Sequence, residues 1–141
     1  MAKDSITRPS GKKSRKSKGK RSSETGSQAR THRRENQAAD TLAAHGYQVE
    51  PNPGPLPNGK NPDYKMEGEY FDCLSPDSSN IDQVRKGISR KVSSGQADRI
   101  VLNLDDSPFE VNDVKDLLSR KPKKGLKECR CQGREGQFSP R

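Results

Sequence analysis

Residues 61–74, NPDYKMEGEYFDCL, constrain the fold of this chain more tightly than any other stretch. Two runs of alternating apolar and polar residues, DYKM and EYFDCL, flank Glu67 and Gly68. A two-residue connection predicts a β-hairpin of fixed register: Met66 faces Glu69, Lys65 faces Tyr70, Tyr64 faces Phe71 and Asp63 faces Asp72. Alternation then puts Tyr64, Met66, Phe71 and Cys73 on one face, an apolar set suited to a core, and makes the two aspartates cross-strand neighbours. Their Cβ atoms would lie about 4.5–5.5 Å apart, where like charges destabilise unless something positive sits between them. A divalent cation meets that need. The plainer alternative is an exposed acidic strand pair with Lys65 as counter-charge.

The segments on either side supply partners for such a hairpin. RENQAADTLAAHGYQVE predicts a short helix from about Glu35, with Ala38, Leu42 and His45 on one face and Gly46 ending it, followed by a brief strand. PNPGPLPNGKNP is too rich in proline for helix or central strand and is read as a loop. Downstream, Ser79 or Asn80 can cap a helix whose stripe is Ile81, Val84, Ile88 and Val92. RIVLNL is a nearly continuous apolar run, as in a strand buried on both faces. VNDVKDLLSRK repeats the helical pattern, and LKECRC is the last strand. The order of helix, three strands, helix, strand, helix, strand describes a small α/β domain, a mixed sheet flanked by helices, over residues 35–135, with residues 136–141 as a C-terminal tail.

Charge divides the chain differently. Residues 1–34 hold twelve Lys or Arg against Asp4 and Glu24, a net of +10, so the remaining 107 residues carry −1 of the total +9. With almost no apolar residues, this segment cannot offset the entropy of ordering, so residues 1–34 are expected to form a disordered basic tail, dispensable for folding. Such a tail attracts polyanions by counterion release, or simply solubilises. No apolar run follows its basic residues, against a secretory signal, and no stretch is long and apolar enough to span a membrane.

Cys73, Cys129 and Cys131 form no Cys-x-x-Cys pair; the last two share one strand face and are read as small buried side chains in a reducing compartment. Asp105 and Asp106, at a strand end, are read as turn caps rather than ligands. His32 and His45 are isolated. The few aromatics offer no base-stacking platform.

The element order resembles the core of the PD-(D/E)xK nuclease superfamily, with Pro62-Asp63 and Asp72 in the places of its two metal-binding acids. More closely, ENQAADTLAAHGYQVE, NPDYKMEGEYFDCLSP, QADRIVLNL and GLKECRC resemble the tRNA nuclease domain of CdiA-type contact-dependent growth inhibition toxins. The resemblance implies a metal-dependent endonuclease acting on tRNA, with Glu35, Asp63 and Asp72 as ligands of a divalent ion, usually Mg²⁺. It also implies a cognate immunity protein, and action in a bacterial cytoplasm, that of a target cell after delivery. DNA cleavage by the same fold and non-catalytic nucleic-acid binding are the alternatives. The superfamily usually carries a lysine two residues after the second acid. Here that position is Leu74, and the following helix must supply the charge. Helical phase puts Lys91 and Arg85 at the borders of the apolar stripe and turns Lys86 and Arg90 to solvent, and a compact ammonium suits the role, so Lys91 is the expected catalytic lysine. Gln96 matches a glutamine that the family places before the buried strand.

Overall fold

The computed structural model describes residues 7–11, 21–133 and 138–139. A 3₁₀ turn at Gly26–Gln28 leads into α1 (Ala29–Ala44), followed by β1 (Val49–Pro51), β2 (Tyr64–Met66), β3 (Glu69–Leu74), α2 (Ile81–Ser93), β4 (Arg99–Asn103), α3 (Val111–Arg120), β5 (Glu128–Gln132) and β6 (Phe138–Ser139). The strands form one sheet in the order of the chain. β3, β4 and β5 run parallel, whereas β1–β2, β2–β3 and β5–β6 are antiparallel pairs. β6 falls in the segment read as a C-terminal tail and instead adds a short edge to β5.

The hairpin has the expected register, with Tyr64 opposite Phe71, Lys65 opposite Tyr70 and Met66 opposite Glu69. Glu67 and Gly68 both have positive φ, 49° and 85°. Such a turn matches the right-handed twist of the strands, and the glycine takes its part at no steric cost.

Each face of the sheet is covered by helix. On one face, Ala38, Ala39 and Leu42 of α1 pack on Tyr64, Met66, Phe71, Cys73 and Val101. On the other, Val84 and Ile88 of α2 and Val114 of α3 pack on Ile100, Leu102, Leu104, Cys129 and Cys131. β4 is buried along its whole length, which is why its sequence is a continuous apolar run rather than an alternating one. The three cysteines are buried and unpaired. Each fully buried side chain such as Ile88 contributes about 1.5–3 kcal/mol. Local signals set the helix starts. Asn80 accepts a hydrogen bond from the Asp82 N–H at 2.9 Å, and Glu110 with Asp113 forms a reciprocal capping box at α3.

The boundary at residue 34 needs correction. α1 begins at Ala29, so Arg30–Arg34 are helical, and Arg30 and Arg34 pair with Asp106 at 2.8 and 2.7 Å. Further upstream, Thr7 is buried and gives its N–H and hydroxyl to the two carboxylate oxygens of Glu128 at 3.0 and 2.8 Å. Gly11 N–H donates to the Gly46 carbonyl at 3.1 Å. Polar groups, not apolar ones, tie this segment down, so hydrophobicity gave no sign of it. The rest of the expected tail, residues 1–6 and 12–20, lies outside the described residues. Deletion of residues 1–34 removes the first turns of α1, the Arg30–Arg34 ion pairs and the hydroxyl partner of a buried carboxylate. It is expected to lower the melting temperature by about 10 °C or more, given the roughly 4–8 °C per kcal/mol typical of a domain this size. An unchanged thermal transition would restore the boundary at residue 34.

Candidate active site

Asp63 lies one residue before β2, and Asp72 is the fourth residue of β3. The hairpin register brings them opposite one another where the ladder ends, and their carboxylates replace the missing ladder bonds. Asp63 N–H donates to Asp72 Oδ1 at 3.1 Å, and Cys73 N–H donates to Asp63 Oδ2 at 2.8 Å. Both acids therefore have a structural task as well as any chemical one. Lys65, the alternative counter-charge, lies over the Tyr70 ring at 5.6 Å from its centroid.

The positive partner of the pair is Lys91, whose ammonium hydrogen-bonds Asp72 Oδ2. Local packing explains how it gets there. Leu74, at the end of β3, packs beneath Gly87 of α2: a Cβ on Gly87 would lie 2.9 Å from Leu74 Cδ2. The residue that replaces the expected strand lysine thus lets α2 approach β3 closely. One turn after Gly87, on the same helix face, Lys91 reaches the acid. Arg85, on the other border of the stripe, turns away and donates to the carbonyls of Lys121 and Pro122 at 2.8 and 2.9 Å. Lys86 and Arg90 are exposed.

Glu35 completes the group from α1. It is 7% exposed, its Oε1 accepts from the Ser22 hydroxyl at 3.0 Å, and its backbone carbonyl accepts from the Tyr64 hydroxyl. Asn36 fixes Ser22 through both backbone groups: Ser22 N–H donates to Asn36 Oδ1 at 3.0 Å, and Asn36 Nδ2 donates to Ser22 O at 2.8 Å. Gln96 Nε2 donates to the Asn61 carbonyl at 2.7 Å and approaches Asp72 Oδ1 at 3.4 Å. His32, read as isolated, has Nδ1 2.6 Å from the Ser23 carbonyl, so that nitrogen donates to it. Ser22, Asn36 and Tyr64 were missed because nothing in their spacing marks them; they meet Glu35 only once α1 lies on the sheet. Asp105 and Asp106 stand apart, engaged by Arg34 and by Arg30 and Arg34, and those guanidinium bonds hold Asp106 down to about 2.

The electrostatics of the group are unbalanced. Burial, then the charges of Asp72 and Glu35, push Asp63 up to about 9. Burial also raises Glu35, partly opposed by the Ser22 hydrogen bond and by His32. Burial works against the charge on Lys91, but the attraction of Asp72 outweighs it, so the ammonium holds its proton more tightly than usual. Three carboxylates therefore face one cation, and the surplus negative charge is relieved by a proton on Asp63. As they stand, no three His, Cys, Asp or Glu groups among the described residues form a ready metal cage. The donor set still fits a hard divalent ion. It consists of carboxylate oxygens with negative charge in excess, and an ion there would replace the proton.

Against known proteins, residues 60–138 match the family described as the contact-dependent growth inhibition CdiA C-terminal domain. The chain is 45% identical over 93 residues to "tRNA nuclease CdiA-2" of Burkholderia pseudomallei (strain 1026b), covering 66% of this chain but 3% of that relative's length. Its fold matches a chain from the "CdiA-CT/CdiI toxin and immunity complex from Burkholderia pseudomallei", with a TM-score of 0.80 and 36% identity over 86% of this chain and 95% of the other. With more than half its length inside the family match and the same fold as a solved relative, this chain belongs to the contact-dependent growth inhibition CdiA C-terminal domain family.

Proposed function

We propose that the chain is a metal-dependent ribonuclease toxin domain of PD-(D/E)xK type that hydrolyses phosphodiester bonds in tRNA. The observation that carries this reading is the meeting of Glu35 from α1, Asp63 just before β2 and Asp72 from β3 with one half-buried lysine, Lys91. A fold alone does not fix a function, but a site of this composition limits the chemistry. The choice of tRNA is supported by the similar Burkholderia protein, a tRNA nuclease by name.

Glu35, Asp63 and Asp72 would hold the ion, with Mg²⁺ the natural choice for an all-carboxylate set. When bound, it supplies a Lewis acid and lowers the pKa of coordinated water. The residues of the chain do the rest. Lys91 presents a fixed positive charge beside the acids, ready to stabilise the extra charge that develops on the phosphate in the transition state. Asp63 and Asp72 keep the ends of β2 and β3 in register through the backbone N–H groups they accept. Ser22 and Tyr64 hold Glu35 in place through its side chain and its carbonyl. Gln96 ties the loop before β2 to Asp72. By analogy with the similar toxin and immunity complex, a cognate immunity protein covers the domain before delivery, and the site of action is the cytoplasm of a target bacterium. Among the described residues no helix is long and apolar enough to cross a membrane.

Incubation with total tRNA and with plasmid, each with Mg²⁺ or EDTA, tests the reading. Cleavage of tRNA is expected with Mg²⁺ and none with EDTA; cleavage in EDTA would remove the ion from the mechanism. Lys91→Met, which keeps the apolar stem, is expected to lower kcat by about a hundredfold or more, the scale of losing one transition-state charge contact, with little change in KM. Arg90→Ala should leave kcat unchanged. The reverse ranking would assign the charge to a different residue.

The raised carboxyl also predicts a pH dependence of stability without metal. Asp63 holds its proton up to about pH 9 in the folded chain, whereas an unfolded aspartate releases it near its ordinary value of about 3.9. Between those limits the native state binds more protons, so stability falls as pH rises. Glu35 shifts in the same direction, and Asp106, lowered to about 2, contributes only below this window. In EDTA, the melting temperature should fall from pH 5 to pH 9, and Asp63→Asn should flatten that decline and be the more stable protein at pH 8. Parallel curves for the two proteins would show that Asp63 is ionised throughout.

A further inference from the structure

We propose that the outer face of α2, together with the loop at residues 120–127 that is clipped to it, is the surface that receives the phosphate backbone of the RNA. The inference rests on the nuclease reading above and adds a binding surface distinct from the acid group.

The loop reads RKPKKGLK, five basic side chains and no acid within eight residues. It is held in place rather than left to wander. Arg85 of α2 grips the carbonyls of Lys121 and Pro122, and Lys123 Nζ donates to Ser93 Oγ at 2.8 Å. Gly125, at φ 94°, brings the loop so close to α2 that a Cβ there would lie 3.1 Å from Val92 Cγ1. A loop with this much positive charge is fixed against a helix whose own exposed face carries Lys86 and Arg90, which concentrates like charge where repulsion works against the fold. An anionic occupant relieves it.

The basic residues of the molecule differ in whether they are already neutralised. On α1 and just before it, Arg21, Arg30 and Arg34 are committed to ion pairs with Asp40, Asp77, Asp105 and Asp106, and Arg33 alone is exposed without a carboxylate partner among the described residues. Arg120, Lys121 and Lys127 meet Asp116, Asp82 and Asp98. Lys86, Arg90 and Lys124 are exposed with no carboxylate partner among the described residues, and Lys123 meets only a hydroxyl.

Helix phase orders these charges relative to the acid group. At about 100° per residue, Lys91 lies on one margin of α2, reaching Asp72, and Arg85 on the other, reaching the loop, with Lys86 and Arg90 on the crest between. A strand with one phosphate beside Lys91 would cross a helix about 10–12 Å wide, meeting Arg90 and then Lys86 before it reaches Lys123 and Lys124 of the loop. The occupant is a phosphate chain rather than a run of bases. The one exposed large hydrophobic among the described residues is Tyr70, and Lys65 covers its ring. Contacts of this kind give affinity and position without reading sequence.

The test is binding of fluorescently labelled tRNA in EDTA, with intactness of the RNA checked on a gel, over 50–300 mM KCl (roughly the range where counterion release is steep). The proteins are the full chain, Lys123→Glu/Lys124→Glu and Lys86→Glu/Arg90→Glu, with the matching Gln pairs as milder variants should either Glu pair melt early. Each Glu pair is expected to weaken binding about 10-fold or more at the lowest salt. It should also make the slope of log K against log salt shallower by about 1.4–1.8, two phosphate contacts' worth. In Mg²⁺, KM should rise with kcat unchanged. Unchanged affinity and slope in variants of a protein that cleaves tRNA would overturn the surface and leave the nuclease reading standing, as would weaker binding with an unchanged slope. A wild-type chain that neither binds nor cleaves RNA would overturn both.

Discussion

The contact between Lys91 and Asp72 joins the two halves of this molecule. Asp72 lies in β3, the strand shared by the antiparallel hairpin and the parallel part of the sheet, and is 1% exposed. Lys91 is the only basic group shown to reach it among the described residues. Removing one partner of a fully buried pair typically costs about 3–5 kcal/mol, and here, with Lys91 only half-buried, the cost is smaller but falls on an Asp72 that is itself shut off from water. The pair therefore fixes the helix on the sheet and sets the electrostatic state of the acids. Leu74 and Gly87 make it possible by letting α2 lie close to β3. Leu74, where the resemblance leads one to expect a lysine, thus leaves room for the helix that carries Lys91 to the same carboxylates.

Much of this arrangement was legible in the sequence because it follows from short-range rules. A two-residue turn fixes a hairpin register, so the meeting of Asp63 and Asp72 was readable from residues 63–72 alone. The phase of α2 followed from Ile81, Val84, Ile88 and Val92, and it separated Lys91 from Arg90 before any packing was known. The continuous apolar run in β4 announced its burial on both faces.

What stayed hidden depends on contacts between residues far apart in the chain. Ser22 meets Glu35 and Asn36, and Thr7 meets Glu128, through hydrogen bonds that leave no hydrophobic signature in a segment dominated by Ser, Lys and Arg. The extension of α1 back to Ala29 was masked in the same way: ARTHRR has no apolar stripe, and Arg30 and Arg34 are stabilised by Asp105 and Asp106, more than seventy residues away. The basic character of the N-terminal segment was therefore misread in part, since Arg21, Arg30 and Arg34 serve internal ion pairs. The two-residue β6 was too short to register as a pattern.

The central claim is that Glu35, Asp63 and Asp72 together hold a catalytic cation, which displaces the proton that now relieves their repulsion. The most direct measurement is anomalous diffraction from crystals of the active protein soaked in Mn²⁺, a scattering substitute for Mg²⁺. The account predicts one strong peak bounded by the three carboxylates and beside Lys91. Absence of a peak there in crystals of a protein that still cleaves tRNA, or a peak bound only by acids elsewhere, would contradict it.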